Sequence, residues 1–303
     1  GHFKQPFGLE SLTSSNHITF IERAVPNALF PQRSAGMMYH TSCMSDKLSL
    51  QFGHFYEKGS EGFSREAHNM TGRLTYLPIS DDKKLLHIGT SFARRVNLTE
   101  TGEDHNLNIL VSPENDFGTD LLIYNNKADA MSLIGAEMSL VLGSLSFQAE
   151  YMTSSIDDEK NAEDQFDGTF NDTHNTNASG YYAQASYFIT GEKRTYKSSY
   201  SGFGRVVPKK NWLDGNSLGA VEVAVRYSGL SFNETYWMDD KSEVWMSEGA
   251  TSLNNFTVGL NWYINPSMRV MFNYVTSVKK YNDMDDMDDV TENALISRIQ
   301  FNF

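Results

Sequence analysis

The sequence predicts an all-β fold, a transmembrane antiparallel β-barrel, and three observations support this prediction. Segments of about ten residues with alternating apolar and polar side chains recur along the whole 303-residue chain, as expected of strands with one face in lipid and one in water. The connections between these segments are short and long in turn, which is typical of the two different ends of such a barrel. No run approaches the roughly 18 apolar residues of a membrane-spanning helix.

Twelve segments carry the alternating pattern. In residues 254–264, for example, Phe256 and Val258 have one parity, whereas Thr257 and Asn261 have the other. The side chains of such a segment separate onto two faces if it is a strand. The predicted strands are residues 1–7, 34–43, 47–56, 67–78, 84–96, 130–142, 144–154, 179–190, 217–229, 254–264, 267–278 and 293–303.

The last segment, 293–303, sets the orientation of the others. Leu295 and Phe301 lie on one parity, and Arg298 and Gln300 on the other. A terminal amphipathic strand that ends in Phe resembles the last strand of bacterial outer-membrane β-barrels, which ends on the periplasmic side. Counting backwards from this strand assigns every connection to one side of the membrane.

This assignment sorts the connections by length. The periplasmic ones are short, at 44–46, 79–83, 143 and 265–266. The external ones are long, at 8–33, 97–129, 155–178, 230–253 and 279–292, with 57–66 intermediate. A soluble β-sandwich has no reason to sort its loops in this way, so the pattern favours a transmembrane barrel. Segment 191–216 is the exception, because it is both long and periplasmic.

The net charge of −13 matches the sum of three external connections. Residues 157–167 and 283–289 each carry −5, and residues 239–248 carry −3. Segment 191–216 has a net charge of +4, with Glu192 and Asp214 as its only acids. Its basic residues are Lys193, Arg194, Lys197, Arg205, Lys209 and Lys210.

Several arginines lie on the polar parity of their strands, which faces the lumen in a barrel. They are Arg73, Arg226, Arg269 and Arg298, and Glu137, Glu150 and Glu222 share that face. One interpretation is a series of anion sites at successive depths, because guanidinium groups suit phosphate and carboxylate oxygens. The other is that each arginine is paired with an inward glutamate and has no role in conduction.

Segment 8–33 is too apolar to stand in water as an external loop. We expect it to fold back against the inner wall and narrow the pore, carrying Arg23 and Arg33 with it. Packing at a subunit interface is the alternative. Residues 13–16 are expected to cap a short helix that continues through Ile21 to Ala24.

Enzymatic signals are poor, since the sequence has no G-x-S-x-G, H-E-x-x-H or phosphate-loop motif. A single cysteine excludes an internal disulfide. The acidic run 283–289 lacks the glycine and the spaced glutamate of an EF-hand loop, so a solvated loop tip is favoured over a calcium site. We therefore predict no catalytic residue, no metal ion, no cofactor and no nucleic-acid partner.

Several stretches resemble, in their order and spacing, the phosphate-selective porin O and P family. This resemblance implies a trimeric, 16-stranded outer-membrane channel for anions, with an inward-folded loop, a ladder of arginines and a lysine-rich periplasmic mouth. The stretches are Gly1-His-Phe-Lys-Gln-Pro-Phe-Gly-Leu-Glu10, Leu12-Thr-Ser-Ser-Asn16 with Phe20-Ile-Glu-Arg23, Tyr187-Phe-Ile-Thr-Gly-Glu-Lys-Arg194, Gly202-Phe-Gly-Arg205 with Pro208, Val221-Glu-Val-Ala-Val-Arg-Tyr-Ser228, and Phe256-Thr-Val-Gly-Leu-Asn-Trp-Tyr-Ile-Asn-Pro266.

The resemblance also selects candidate site residues. The strand end that contains Lys4 and Pro6, and the segment that follows it, match the family's constriction region, so Lys4, Arg23 and Arg33 are the constriction candidates. Segment 191–216 matches the family's basic periplasmic segment. The other anion-binding candidates are Arg73, Arg226 and Arg298.

These expectations combine into one functional prediction. Residues 1–303 form a single barrel domain that conducts small anions passively, phosphate or polyphosphate among them, as a homotrimer among outer-membrane lipids and lipopolysaccharide. Twelve strands rather than sixteen imply that about four more precede residue 1. The alternatives are an occluded structural or interaction barrel and a weakly selective general porin. The general porin is predicted if Arg226 and Arg298 are fully paired with glutamates.

Overall fold

The computed structural model describes residues 1–57, 62–63, 67–97, 106–115, 122–158, 175–198, 201–215, 217–233, 250–281 and 289–302. Nearly all of its regular structure is β-sheet. The strands are β1 His2–Lys4, β2 Arg33–Cys43, β3 Leu48–Glu57, β4 Gly62–Phe63, β5 Ala67–Ser80, β6 Lys84–Asn97, β7 Asn106–Val111, β8 Leu122–Leu142, β9 Leu145–Asp158, β10 Asn175–Phe188, β11 Tyr196–Lys197, β12 Gly202–Phe203, β13 Ala220–Asn233, β14 Ala250–Asn265, β15 Met268–Tyr281 and β16 Val290–Phe301.

One antiparallel sheet contains fourteen of these strands. Its continuous path runs in chain order, β1-β2-β3-β5-β6-β8-β9-β10-β13-β14-β15-β16, so each strand lies beside the next one along this path. This up-and-down order confirms the twelve predicted strands and the predicted fold class, although the first strand is shorter than expected. Among the described residues, no helix is both long and apolar enough to cross a bilayer.

The two faces of the sheet differ in the way that a membrane sheet requires. On one face, here called the polar face, Arg73, Asn261 and Thr257 are almost completely buried. On the other, the apolar face, Phe256 and Val258 are 48% and 43% exposed. A water-soluble protein has the opposite arrangement, so the apolar face is the one suited to lipid.

Two regions of β-structure were not predicted, besides the short strand β4, which lies in the connection 57–66 and pairs with β7. Residues 97–129 were expected to be a loop throughout, but they contain β7 and the beginning of β8, which pair from Asn106 with Lys127 to Val111 with Leu122. The prediction failed here because Asn125, Asn126 and Lys127 are consecutive polar residues, so the alternation stops. The small strands β11 and β12 form a separate two-stranded sheet within segment 191–216.

The core lies between the polar face and the connections that pack on it. Phe7, Val25, Leu29 and Phe30 form one cluster with strand residues such as Met152. A second cluster joins Leu9 to Leu77, Leu85 and Val141 of the sheet and to Phe203 of segment 191–216. Both segments therefore bury apolar side chains against the same face.

Segment 8–33 contains two short helices, but not at the predicted place. Helix α1 is Leu9–Leu12, and a 3-10 helix spans Val25–Leu29. The helix predicted over residues 21–24 is absent from this described segment, and that prediction is wrong. Pro26 favours the helix that is observed instead, because its fixed φ suits the first turn of a helix.

Candidate functional site

Three of the predicted constriction residues lie together at the start of the sheet. Lys4 of β1 is the cross-strand partner of Arg33 of β2. The Lys4 ammonium donates to the carbonyl oxygens of Ser11 and Thr13, the latter at 3.5 Å. Arg23 Nη2 donates to the same Thr13 oxygen at 2.9 Å. Lys4, Arg23 and Arg33 are called the cationic cluster below.

Helix α1 explains why Lys4 and Arg23 come together. Its last carbonyl oxygens have no partner within the helix, and they carry partial negative charge that attracts cations. Arg23 also donates to the Glu10 carbonyl. Within the described part of the chain, every hydrogen bond of Lys4 and Arg23 goes to a backbone carbonyl, so no carboxylate cancels their charge directly.

The beginning of α1 is held by a carboxylate of the sheet. Glu150 of β9 accepts hydrogen bonds from the backbone N–H groups of Leu9 at 3.0 Å and Glu10 at 2.7 Å. It also accepts from the Tyr182 hydroxyl. Carboxyl oxygens at a helix N-terminus are stabilising because they satisfy N–H groups that otherwise lack partners. Glu150 therefore positions the helix whose other end binds the cationic cluster.

Arg226 has a different environment, in which acidic side chains surround it. Its Nε atom donates to Glu114 at 2.9 Å, and Nη1 donates to Glu10 at 3.2 Å. Its guanidinium lies 4.4 Å from the centre of the Phe20 ring. The Arg226 side chain has no exposed area. The charge is thus fully paired, by two glutamates that sequence reasoning missed because both lie in connections rather than strands.

Arg73 and Arg298 are also paired with glutamates. Arg73 Nη2 lies 2.5 Å from Glu137, and the same carboxylate lies 2.7 Å from His87 Nε2. Arg298 Nη2 lies 2.7 Å from Glu22, but the Arg298 side chain is 35% exposed. Of the predicted strand arginines, Arg73 is therefore neutralised and buried, whereas Arg298 is paired but still accessible.

Segment 191–216 distributes its basic residues between the interior and the surface. Arg194 is buried, where it donates to Gln148 at 3.2 Å and lies 3.8 Å from the centre of the Phe203 ring. Burial lowers the pKa of the Arg194 guanidinium. Lys193 donates to the Asp82 carbonyl. The other predicted members differ in exposure: Lys197, Lys209 and Lys210 are exposed, and Arg205 is half-buried.

The two long segments also contact each other, which the sequence did not predict. The Phe203 N–H donates to the Thr13 hydroxyl at 3.3 Å, and Arg194 donates to the His17 carbonyl at 3.4 Å. Tyr196 ties segment 191–216 to the sheet, because its hydroxyl lies 2.7 Å from His87 Nδ1. Side chains from both predicted ends of the barrel thus meet on one polar face.

Most of the predicted acidic residues lie outside the described residues. The predicted segments 157–167, 239–248 and 283–289 are described only at 157–158 and 289. In the rest of the described chain, no group of three or more His, Cys, Asp or Glu side chains is arranged to hold a metal ion.

Two known proteins are similar to this chain in sequence. Porin O of Pseudomonas aeruginosa is 28% identical over 330 aligned residues, which cover 100% of this chain and 69% of Porin O. An uncharacterized protein of Caulobacter vibrioides is 35% identical over 68 residues, 22% of this chain and 13% of that protein.

Two solved structures also align with the chain. The NanC porin covers 88% of this chain and 98% of its own, with a TM-score of 0.34 and 11% identity. OmpT, an outer membrane protein of Vibrio cholerae, covers 99% of this chain and 75% of its own, with a TM-score of 0.49 and 10% identity.

The sequence profile of the family described as phosphate-selective porin O and P matches residues 1–303. This match spans every strand of the sheet and both segments that pack on its polar face. The chain is therefore a member of the phosphate-selective porin O and P family, an integral outer-membrane porin that acts as a channel rather than an enzyme.

Proposed function

We propose that this porin conducts small anions and that the cationic cluster sets its preference for them. Segment 8–33 is the proposed constriction loop, since it packs on the polar face and carries Arg23 and Arg33. The observation that carries the proposal is the partner set of Lys4 and Arg23, which consists of backbone carbonyls. Positive charge without a carboxylate partner attracts anions into a narrow, low-dielectric passage.

The strand arginines contribute less to this proposal than the cluster does. Arg226 and Arg73 are buried against Glu114 and Glu137. A buried ion pair presents little net charge to a passing solute, so these arginines act as structural ties. Arg298, which is partly exposed beside Glu22, has an intermediate role.

A weakly selective general porin is the second candidate, and the pairing of Arg226 supports it. If Arg73, Arg226 and Arg298 all act as structural ties, only the cationic cluster and segment 191–216 remain to bias the pore. The two candidates differ in the predicted size of the anion preference. Phosphate conduction, a homotrimeric assembly and contact with lipopolysaccharide are further parts of the proposal, and they rest on family membership.

Reversal potentials of the refolded porin in a planar bilayer test the proposal. Under a KCl gradient, we expect the sign that indicates chloride over potassium. A potential near zero would favour the general porin. Potassium selectivity would contradict both candidates, because in each of them the cationic cluster favours anions. An absence of conductance would favour the occluded barrel. Replacing chloride with phosphate in the same bilayer then tests whether phosphate is conducted.

A further inference from the structure

A narrow cleft lies where segments 8–33 and 191–216 meet the turn between β14 and β15. Its polar lining residues come from four parts of the chain and include three potential cations. None of the lining residues, all of which belong to the described chain, is acidic. The polar lining consists of Asn16, His17, Arg205, Tyr263, Asn265, Arg269 and Asn302.

Two nitrogen atoms in this lining are buried without a partner. Arg269 is only 3% exposed, and it donates from Nη1 to the Ile18 carbonyl at 2.9 Å and from Nη2 to Gln300 at 2.7 Å. Among the described residues, its Nε–H has no acceptor and His17 Nδ1 has no hydrogen-bond partner. An unsatisfied buried donor destabilises the folded state, so an acceptor that enters the cleft and reaches this donor would be stabilised.

The electrostatic surroundings of His17 are cationic. Partial burial lowers the pKa of His17, and the nearby charges of Lys197, Arg205, Arg269 and Arg194 lower it further. One carboxylate lies near these cations without lining the cleft. It belongs to Glu222, which accepts a hydrogen bond at 2.9 Å from the Tyr263 hydroxyl that lines the cleft. Arg269 contacts that hydroxyl at 3.3 Å rather than the carboxylate.

We propose that this cleft is a second anion site, which binds one oxygen atom or edge of a small oxyanion through Arg269 Nε, the Arg205 guanidinium and His17. The cleft has room for about one oxygen atom, so the rest of a small oxyanion such as sulfate or phosphate would lie at its mouth. This inference rests on the proposed anion conduction for its physiological use. The affinity of the cleft itself does not depend on the cationic cluster.

The presence of His17 makes the predicted affinity depend on pH. A bound anion favours the imidazolium form, and by linkage protonation of His17 strengthens anion binding. Affinity is expected to rise as the pH falls through the pKa of His17. The Arg205 and Arg269 charges do not change over this range, so they provide the part of the affinity that is independent of pH.

Sulfate block of the chloride current tests the proposal, because sulfate stays divalent between pH 5.5 and 8. Sulfate is added on the side of the 265–266 turn, and its half-blocking concentration is measured at both pH values. For the wild-type porin we expect about tenfold stronger block at pH 5.5, a typical size for coupling between two sites. His17→Gln should remove this pH dependence. Arg205→Gln should weaken block at both pH values.

Lys83→Gln is the matched control, because it removes one exposed charge from another turn at the same end of the sheet. It should leave block unchanged. Equal block by sulfate at both pH values, or block unaffected by His17→Gln and Arg205→Gln, would overturn the site. If either His17→Gln or Arg205→Gln fails to fold, sulfate block of the other variant still tests the site.

The reversal potential separates this inference from the proposed function. An unselective pore that still shows pH-dependent sulfate block contradicts the proposed function and supports the cleft. An anion-selective pore without such block supports the proposed function and contradicts the cleft.

Discussion

Arg226 donates to Glu114 from Nε at 2.9 Å, and neither side chain is exposed by more than 1%. Ser228 and Thr257 donate to the same carboxylate at 2.5 and 2.6 Å. A connection that follows β7 is thereby fixed to β13 and β14. Arg226, which the sequence places in the lumen, therefore holds this connection on the sheet. We expect selectivity to come from the cationic cluster instead.

The Arg226–Glu114 pair predicts a loss of stability without a loss of selectivity. Arg226→Gln leaves the buried Glu10 and Glu114 carboxylates without their cation, and we expect a loss of about 3–5 kcal/mol in unfolding free energy. Because the Arg226 side chain has no exposed area, and a carboxyl group buried without a cation takes up a proton, the reversal potential should stay close to the wild-type value. Urea unfolding and reversal potentials check both, with Asp46→Asn in an exposed turn as the control. A large loss of anion preference in Arg226→Gln would show that Arg226 acts on the solute.

The Tyr196 hydroxyl is expected to hold segment 191–216 on the sheet. Tyr196→Phe leaves His87 Nδ1 without the hydroxyl that lies 2.7 Å away, which should cost about 1–3 kcal/mol. Hydrogen exchange should then increase over residues 194–206 more than in the strands. Tyr39→Phe, at a residue that is 65% exposed, is the matched control. Unchanged exchange in Tyr196→Phe would mean that the apolar contacts of Phe203 suffice to hold the segment.

The assignment of the apolar face to lipid predicts a large effect at Val258. Val258→Arg places a charge near the middle of the sheet on that face, and we expect a cost of about 2–4 kcal/mol for folding into lipid vesicles. Val207→Arg introduces the same charge at a 58% exposed position in segment 191–216 and should fold normally. Equal folding yields for the two variants would contradict the assignment of this face to lipid.

The lowered pKa of His17 predicts how stability depends on pH. The folded state disfavours the protonated form of His17. The free energy of unfolding is therefore highest above the unfolded pKa of His17, roughly 6.5, and it decreases as the pH falls below that value. Thermal unfolding without multivalent anions should therefore show lower stability at pH 5.5 than at pH 7.5. His17→Gln should reduce this difference. Sulfate should restore part of the lost stability in the wild type only.

The strands were predictable because each one alternates between lipid and a polar interior. Residues 254–264 show this most clearly, since Phe256 and Thr257 lie on opposite faces as expected. The pairing of Arg226 was not predictable, because Glu10 and Glu114 lie in connections. Connections lack the apolar–polar alternation from which the position of a side chain can be predicted. The same reason explains why the contact between Phe203 and Thr13 was missed.

The candidate site was partly predictable. Lys4 and Arg33 are separated by a long connection, but both flank it at strand ends, where antiparallel pairing places them side by side. The cleft residues Arg205 and Arg269 come together only through the fold of segment 191–216. Whether Lys4, Arg23 and Arg33 form the pore constriction stays a prediction.

The most direct test of that prediction compares reversal potentials of the wild-type porin and of the triple variant Lys4→Gln, Arg23→Gln, Arg33→Gln under the same KCl gradient. We expect the wild type to prefer chloride and the variant to lose most of that preference, because no carboxylate in the described part of the chain is paired with the cluster. A variant in which Lys47, Lys83 and Lys84 are changed to Gln controls for the loss of three charges. Equal chloride preference in the wild type and the cluster variant would contradict the account.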